Sequence, residues 1–266
     1  IMMPGIWSRL RRGPRENPQA SERAHGDRIK ISAESPEAFE EVFWFTFSNK
    51  QYVDEKELFS YAPGIRLQKQ FIEFVQHVLK SGKAEGARYL SKNNNNVLRI
   101  GAIKSALPNA LILVPFRSPL QQAASLLRQH ERFLIRHNES AFEARYMRWL
   151  GHYEFGANLK PFHFSGEANE WQPEGINFWL FQWLNCYRHL HSEYSGQVQF
   201  ICYEDACDDP VGFAAQLAEL VELEAGLLDH SQLTPAAVHP VSGADQGLLA
   251  DCEAVYEELR LTEFPG

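Results

Sequence analysis

Lys92, Arg117 and Ser125 have the residue types and spacing to grip an anion. Arg117 follows the apolar run Ala110-Leu111-Ile112-Leu113-Val114-Pro115-Phe116 and precedes Ser118-Pro119, so it stands where a strand hands over to a helix. Ser118 can cap that helix, Pro119 suits its first turn, and Gln121 can complete a capping box. A guanidinium beside the free N–H groups of a helix start offers a phosphate bidentate, charge-assisted bonds and a favourable dipole together. Ser125 comes two turns later, where its hydroxyl could donate to another oxygen of the same group. On spacing alone Arg117 serves equally well as a solvated loop arginine, and Ser125 as an ordinary small helix residue.

The surrounding pattern predicts how these residues are held. Arg88-Tyr89-Leu90-Ser91 reads as a short strand, Val97 to Leu107 as a helix, Pro108-Asn109 as a turn and Ala110 to Phe116 as a buried strand. That is a βαβ unit with parallel strands and a right-handed connection. Lys92 and Arg117 then follow neighbouring strands at the carboxyl edge of the sheet, where ligands collect. Upstream, Ser35-Pro36-Glu37-Ala38 predicts the start of a helix running through Val42 and Trp44. Phe71, Phe74, Val75, Val78 and Leu79 mark one face of a second helix within residues 66–80, stopped by Ser81-Gly82. A helix from Pro119 to about His137, an aromatic helix over 176–191, a strand over 197–203 and helices over 211–223 and 247–261 complete the reading. Helices alternating with apolar strands predict an α/β fold, a three-layer sandwich with a central, mostly parallel sheet. It is expected as a single domain over 1–266, with an irregular segment over 1–35.

Composition narrows the class. The net charge of -8 hides an asymmetry: residues 92–136 carry seven cations against Glu131 alone, a balance of +6, and residues 204–266 carry fourteen acids against Arg260, a balance of -13. An acidic total with one local basic stretch suits a small anionic ligand and argues against nucleic acid, which needs a broad basic face. Cys186, Cys202, Cys207 and Cys252 form no C-x-x-C pair, which points to a reducing, cytoplasmic setting. The ten histidines show no H-E-x-x-H spacing, so no metal is expected. No apolar run is long enough for a transmembrane segment.

The run Lys92-Asn93, Pro108-Asn109-Ala110, Arg117-Ser118-Pro119 and Ser125 resembles the central block of sulfotransferases that depend on 3′-phosphoadenosine 5′-phosphosulfate (PAPS). The separation of eight between arginine and serine matches that family's spacing. Tyr203-Glu204-Asp205 with Asp209-Pro210 is similar to a second family segment, and the stretches 22–27 and 145–152 look like those of bacterial members. The likeness covers most of the chain, with Ser118 standing where the family commonly has an acid. The family's 5′-phosphosulfate loop has no counterpart: Gly82-Lys83 follows a helix and runs into Ala84. The expectation is therefore an N-terminally truncated, P-loop-like sulfotransferase fold whose first strand and donor loop lie upstream of residue 1, so that the chain alone transfers no sulfate.

The resemblance implies that PAPS is the sulfuryl donor, with Arg117 and Ser125 on its 3′-phosphate and Lys92 near the transferred group. Asn93 would orient the acceptor or the sulfate, or open a polar turn. His25 is one candidate for the general base and the Glu37/Glu41 pair another. A hydroxyl or amine of a small molecule, carbohydrate or lipid is the expected acceptor. Two other readings stand beside this one. The first is a non-catalytic module binding PAPS or its desulfated product, adenosine 3′,5′-bisphosphate (PAP). The second is a P-loop nucleoside or nucleotide kinase, which gives no reason for the Arg117 to Ser125 spacing.

Overall fold

The computed structural model describes residues 40–81, 86–164, 169–224, 226–231, 233–236, 238 and 240–262, with the backbone alone of 2–3, 21–22, 30–31 and 37–38. His25, Gly82 and Lys83 lie outside these residues, as does the side chain of Glu37. The fold is mixed α/β, mostly helical, and its sheets among the described residues are two-stranded. Residues 1–108 with 129–161 form one compact unit, and residues 109–128 with 162–266 form another.

In the first unit, β1 (Met2–Met3) pairs antiparallel with β4 (Glu37–Ala38), and β2 (Ser21–Glu22) with β3 (Lys30–Ile31). Glu37–Ala38 is thus strand rather than the first turn of a helix, and α1 begins later, at Glu40–Phe47. Helix α2 (Ile65–Ser81) buries Leu67, Phe71 and Val75, a stripe at helical spacing. Phe71 stacks 4.5 Å from Trp44, and Phe43 lies 5.0 Å from Phe74, so α1 and α2 share an aromatic core. Residues 88–93 run without ladder partners among the described residues, although the sequence predicts a strand over Arg88–Ser91. A 3₁₀ turn (Asn94–Leu98) and the short α3 (Ile100–Ala106) come next, so the expected βαβ unit does not form here. The Tyr89 hydroxyl donates instead to the buried Glu40 carboxylate at 2.6 Å.

Helix α4 (Pro119–Glu139) divides between the units at residue 128, and its Gln129–Glu139 portion packs in the first. His130 and His137 accept the backbone N–H groups of Gly156 and Ala157 at their Nδ1 atoms, both at 3.1 Å. Gly156 has φ +71°, and a Cβ there would fall 2.5 Å from His137, so only glycine fits the turn. Helix α5 (Ala141–Trp149) is capped by Ser140, whose side chain accepts from the Glu143 N–H.

The second unit is built on a parallel pair, β5 (Leu113–Phe116) and β6 (Gln199–Cys202), in register from Leu113 opposite Gln199 to Phe116 opposite Cys202. Helix α6 (Ile176–Tyr194) covers it with Phe178, Leu180, Trp183, Leu184, Tyr187 and Leu190, all buried. Tyr187 Oη donates to the Pro115 carbonyl at 2.9 Å, closing helix onto strand. Two short helices come after β6: α7 (Tyr203–Asp208), and α8 (Pro210–Leu220) with Asp209 as its cap. The last helix, α9 (Gln246–Leu261), sinks Cys252, Val255 and Leu259 against α6 and β6.

Among the described residues no helix is long and apolar enough to cross a membrane. None of them forms a group of three or more His, Cys, Asp or Glu side chains placed to hold a metal ion.

Candidate functional site

In the second unit, both parallel strands end at the same edge, and the segments leaving them meet there. β5 runs into Arg117-Ser118 and β6 into Tyr203-Glu204. The Arg117 guanidinium lies 5.5 Å over the Tyr203 ring. Arg117 is half-buried, its Nε is buried without a hydrogen-bond partner, and it has no carboxylate partner among the described residues. A cation stacked on a ring face and left without a counter-ion is suited to an incoming anion. Ser125 is half-buried on α4, two turns after Arg117.

The helix start itself departs from expectation. The Ser118 N–H, which a capping box would give to Gln121, donates instead to Glu204 Oε1 at 2.9 Å. Glu204 Oε2 accepts from Tyr256 Oη at 3.2 Å and from the Cys202 thiol at 3.5 Å. Burial pushes the Cys202 thiol up to about 11, so it stays protonated and can donate. The Tyr256 hydroxyl is also held protonated, chiefly by burial. The Ser118 N–H is thus committed to an internal carboxylate.

Lys92 and Asn93 belong to the first unit, Arg117 and Ser125 to the second. Lys92 is exposed, and its charge is felt by His152 and Glu154. Asn93 is engaged on every side: Oδ1 caps the 3₁₀ turn by accepting the Asn95 N–H at 3.1 Å, and Nδ2 donates to Glu41 Oε2 at 2.8 Å. It anchors the turn that carries Lys92.

Behind that turn lies a closed polar core. Arg99 is 1% exposed and its two terminal nitrogens clasp Glu41, at 3.0 and 3.2 Å. Tyr52 Oη also donates to Glu41, and the Tyr52 hydroxyl is pushed up by burial and by that carboxylate. Glu40 accepts from Tyr89 Oη at 2.6 Å, Asn96 Nδ2 at 2.8 Å and Trp44 Nε1 at 3.3 Å. Glu41, expected as a candidate base, thus receives four donors and is enclosed with its counter-ion; it acts as a structural ion.

One pair went unread in the sequence. His152 Nδ1 lies 3.4 Å from Glu154 Oε1, and the ring remains partly open to solvent. Burial opposes charge on the imidazole, but the Glu154 bond, the Glu154 charge and Glu41 outweigh it and raise the His152 pKa. Burial pushes the Glu154 carboxyl up, but the His152 bond and charge outweigh it and bring the pKa below its ordinary value. The His-x-Glu spacing was the available signal, though alone it is common.

No family model, curated protein or solved structure matches this chain.

Proposed function

We propose that the chain is a PAPS-dependent sulfotransferase domain, P-loop-like in fold, that binds the 3′-phosphate of its nucleotide at Arg117. The observation that carries this reading is the Arg117 guanidinium, stacked on Tyr203 at the carboxyl end of a parallel strand and lacking a carboxylate partner among the described residues. The eight-residue spacing to Ser125, read as a family pattern in the sequence, supports it. When bound, the nucleotide supplies the activated sulfuryl group.

The chain's own residues would bind, orient and move a proton. Arg117 would give the phosphate paired, charge-assisted N–H bonds, and Ser125 a hydroxyl donor. Lys92, on its anchored turn, would stabilise negative charge on the transferred group, since catalysis of such displacements is mostly positioning and charge stabilisation. Within the first unit His152, oriented by Glu154, has the chemistry to take a proton. Small-molecule, carbohydrate and lipid acceptors all remain within this reading, as does a cytoplasmic setting.

Calorimetric titration with PAP tests the reading. Micromolar or tighter binding that weakens in Arg117→Ala supports it; equal affinities in wild type and variant remove Arg117 from the site and the reading with it.

A further inference from the structure

Resting on that nucleotide reading, we infer that Glu204 is a positioning residue: without touching the phosphate, it sets where the Arg117 guanidinium stands. A carboxylate beside an anion site repels the ligand, so its presence there calls for a compensating role. The contacts supply one. Ordinarily the N–H of a helix cap is held from within its own helix, which fixes nothing beyond that helix. Here the Ser118 N–H is held by Glu204 Oε1 at 2.9 Å, so the start of α4 is tied to the chain leaving β6.

Glu204 is itself fixed from two further directions. Tyr256 of α9 donates to its Oε2 at 3.2 Å, and Cys202 at the end of β6 does so at 3.5 Å. The neighbouring Tyr203, whose ring lies under the guanidinium, is tethered through its own hydroxyl to the Thr234 carbonyl at 2.7 Å. Arg117 is thus held by its backbone through Ser118 and by its side chain on Tyr203, and the dipeptide Tyr203-Glu204 serves both. Losing the carboxylate frees the first restraint. The guanidinium then loses its fixed place relative to a 3′-phosphate, while a ligand without that phosphate is unaffected.

The test compares two nucleotides on the intact protein. PAP carries the 3′-phosphate and adenosine 5′-monophosphate does not, so the ratio of their affinities reports the Arg117 contact alone. Glu204→Ala is expected to weaken PAP about tenfold, the size of one lost charge-assisted restraint, and to leave the monophosphate within about twofold. Glu204→Gln keeps an oxygen for the Ser118 N–H and should recover most of the loss. Tyr256→Phe removes one anchor of the carboxylate while keeping the ring in the core, and should lower the same ratio about threefold, which decides the matter if Glu204→Ala fails to fold. Equal losses for both nucleotides would make Glu204 merely structural and overturn the inference. Unchanged or tighter PAP binding in Glu204→Ala and an unchanged ratio in Tyr256→Phe would each overturn it too. A wild type that shows no preference for PAP over the monophosphate defeats the nucleotide reading and this inference together.

Discussion

Arg99 and Arg117 sit on the same kind of support and have opposite surroundings. Arg99 lies 4.8 Å over Tyr52 and 5.1 Å over Trp44; Arg117 lies 5.5 Å over Tyr203. Each leaves its Nε buried without a partner. Arg99 is enclosed and clasped by Glu41, whereas the carboxylate nearest in sequence to Tyr203, Glu204, turns to the Ser118 amide and leaves the guanidinium alone. The lesson is that an arginine's role is set by where the neighbouring carboxylate's lone pairs go. In the first unit they neutralise the cation and build a core; in the second they hold backbone, and the cation has no carboxylate partner among the described residues.

The largest effect should come from opening the closed pair. Glu41→Ala strands a buried guanidinium and should cost about 3–5 kcal/mol in denaturant unfolding, a large fraction of a typical domain's stability. Arg117→Ala in the same experiment should change stability by no more than about 0.5 kcal/mol. Comparable losses in both would erase the distinction between them.

Lys92, an exposed cation of the same unit as Arg99, should behave as neither arginine does. Under the sulfotransferase reading Lys92→Ala in the full-length enzyme lowers turnover about 100- to 1,000-fold, with stability and PAP affinity little changed. Turnover at the wild-type level would leave it a surface lysine.

Next in size is the ligand contact of Arg117. Its replacement by alanine should cost about 1.5–3 kcal/mol of PAP binding, roughly 10- to 150-fold in affinity by calorimetry. Ser125→Ala should act in the same direction but less, since a neutral hydroxyl donates more weakly.

The smallest expected effect is a pH dependence confined to the first unit. Burial pushes the His137 pKa down, outweighing the opposite pull of Glu143, and Arg136 adds to the depression. The unfolded chain therefore binds the proton more readily. His137 stabilises the fold fully above its unfolded value of about 6.5, and that contribution falls away as the pH drops through it. Protonation also removes the acceptor of the Ala157 N–H, a bond whose net contribution is about 1 kcal/mol. Urea unfolding across this range should show the decline in wild type and a flatter profile in His137→Gln.

Much of the helical frame was legible from periodicity. The expected helices over 66–80, from Pro119 to about His137, over 176–191, 211–223 and 247–261 all form, because each carries an apolar stripe or a proline start that local chemistry enforces. The strands Leu113–Phe116 and Gln199–Cys202 were legible as apolar runs, but their parallel pairing with each other was not, since the first was expected beside Arg88–Ser91. Arg88–Ser91 misled because a strand exists only by virtue of its neighbours, and four residues cannot reveal whether a neighbour is there. Glu41 was expected as a candidate base and Arg99 as part of the basic stretch, because the burial of Glu40, Glu41 and Arg99 depends on partners far apart along the chain. Arg117 could be singled out from its position between strand and helix, but the role of Glu204 could not, since it rests on a bond to a residue 86 positions away.

That dependence has a kinetic side in the first unit. Glu41 and Arg99 are 58 positions apart, Glu40 and Asn96 56, and Asn95 reaches Gly151 across another 56. Closing such loops costs chain entropy before any of these bonds is made, and domains dominated by distant contacts fold slowly. Until α1 finds Arg99, both carboxylates are better solvated by water than by the forming core. The polar core is therefore expected to form after the aromatic packing of α1 on α2, whose partners lie closer along the chain.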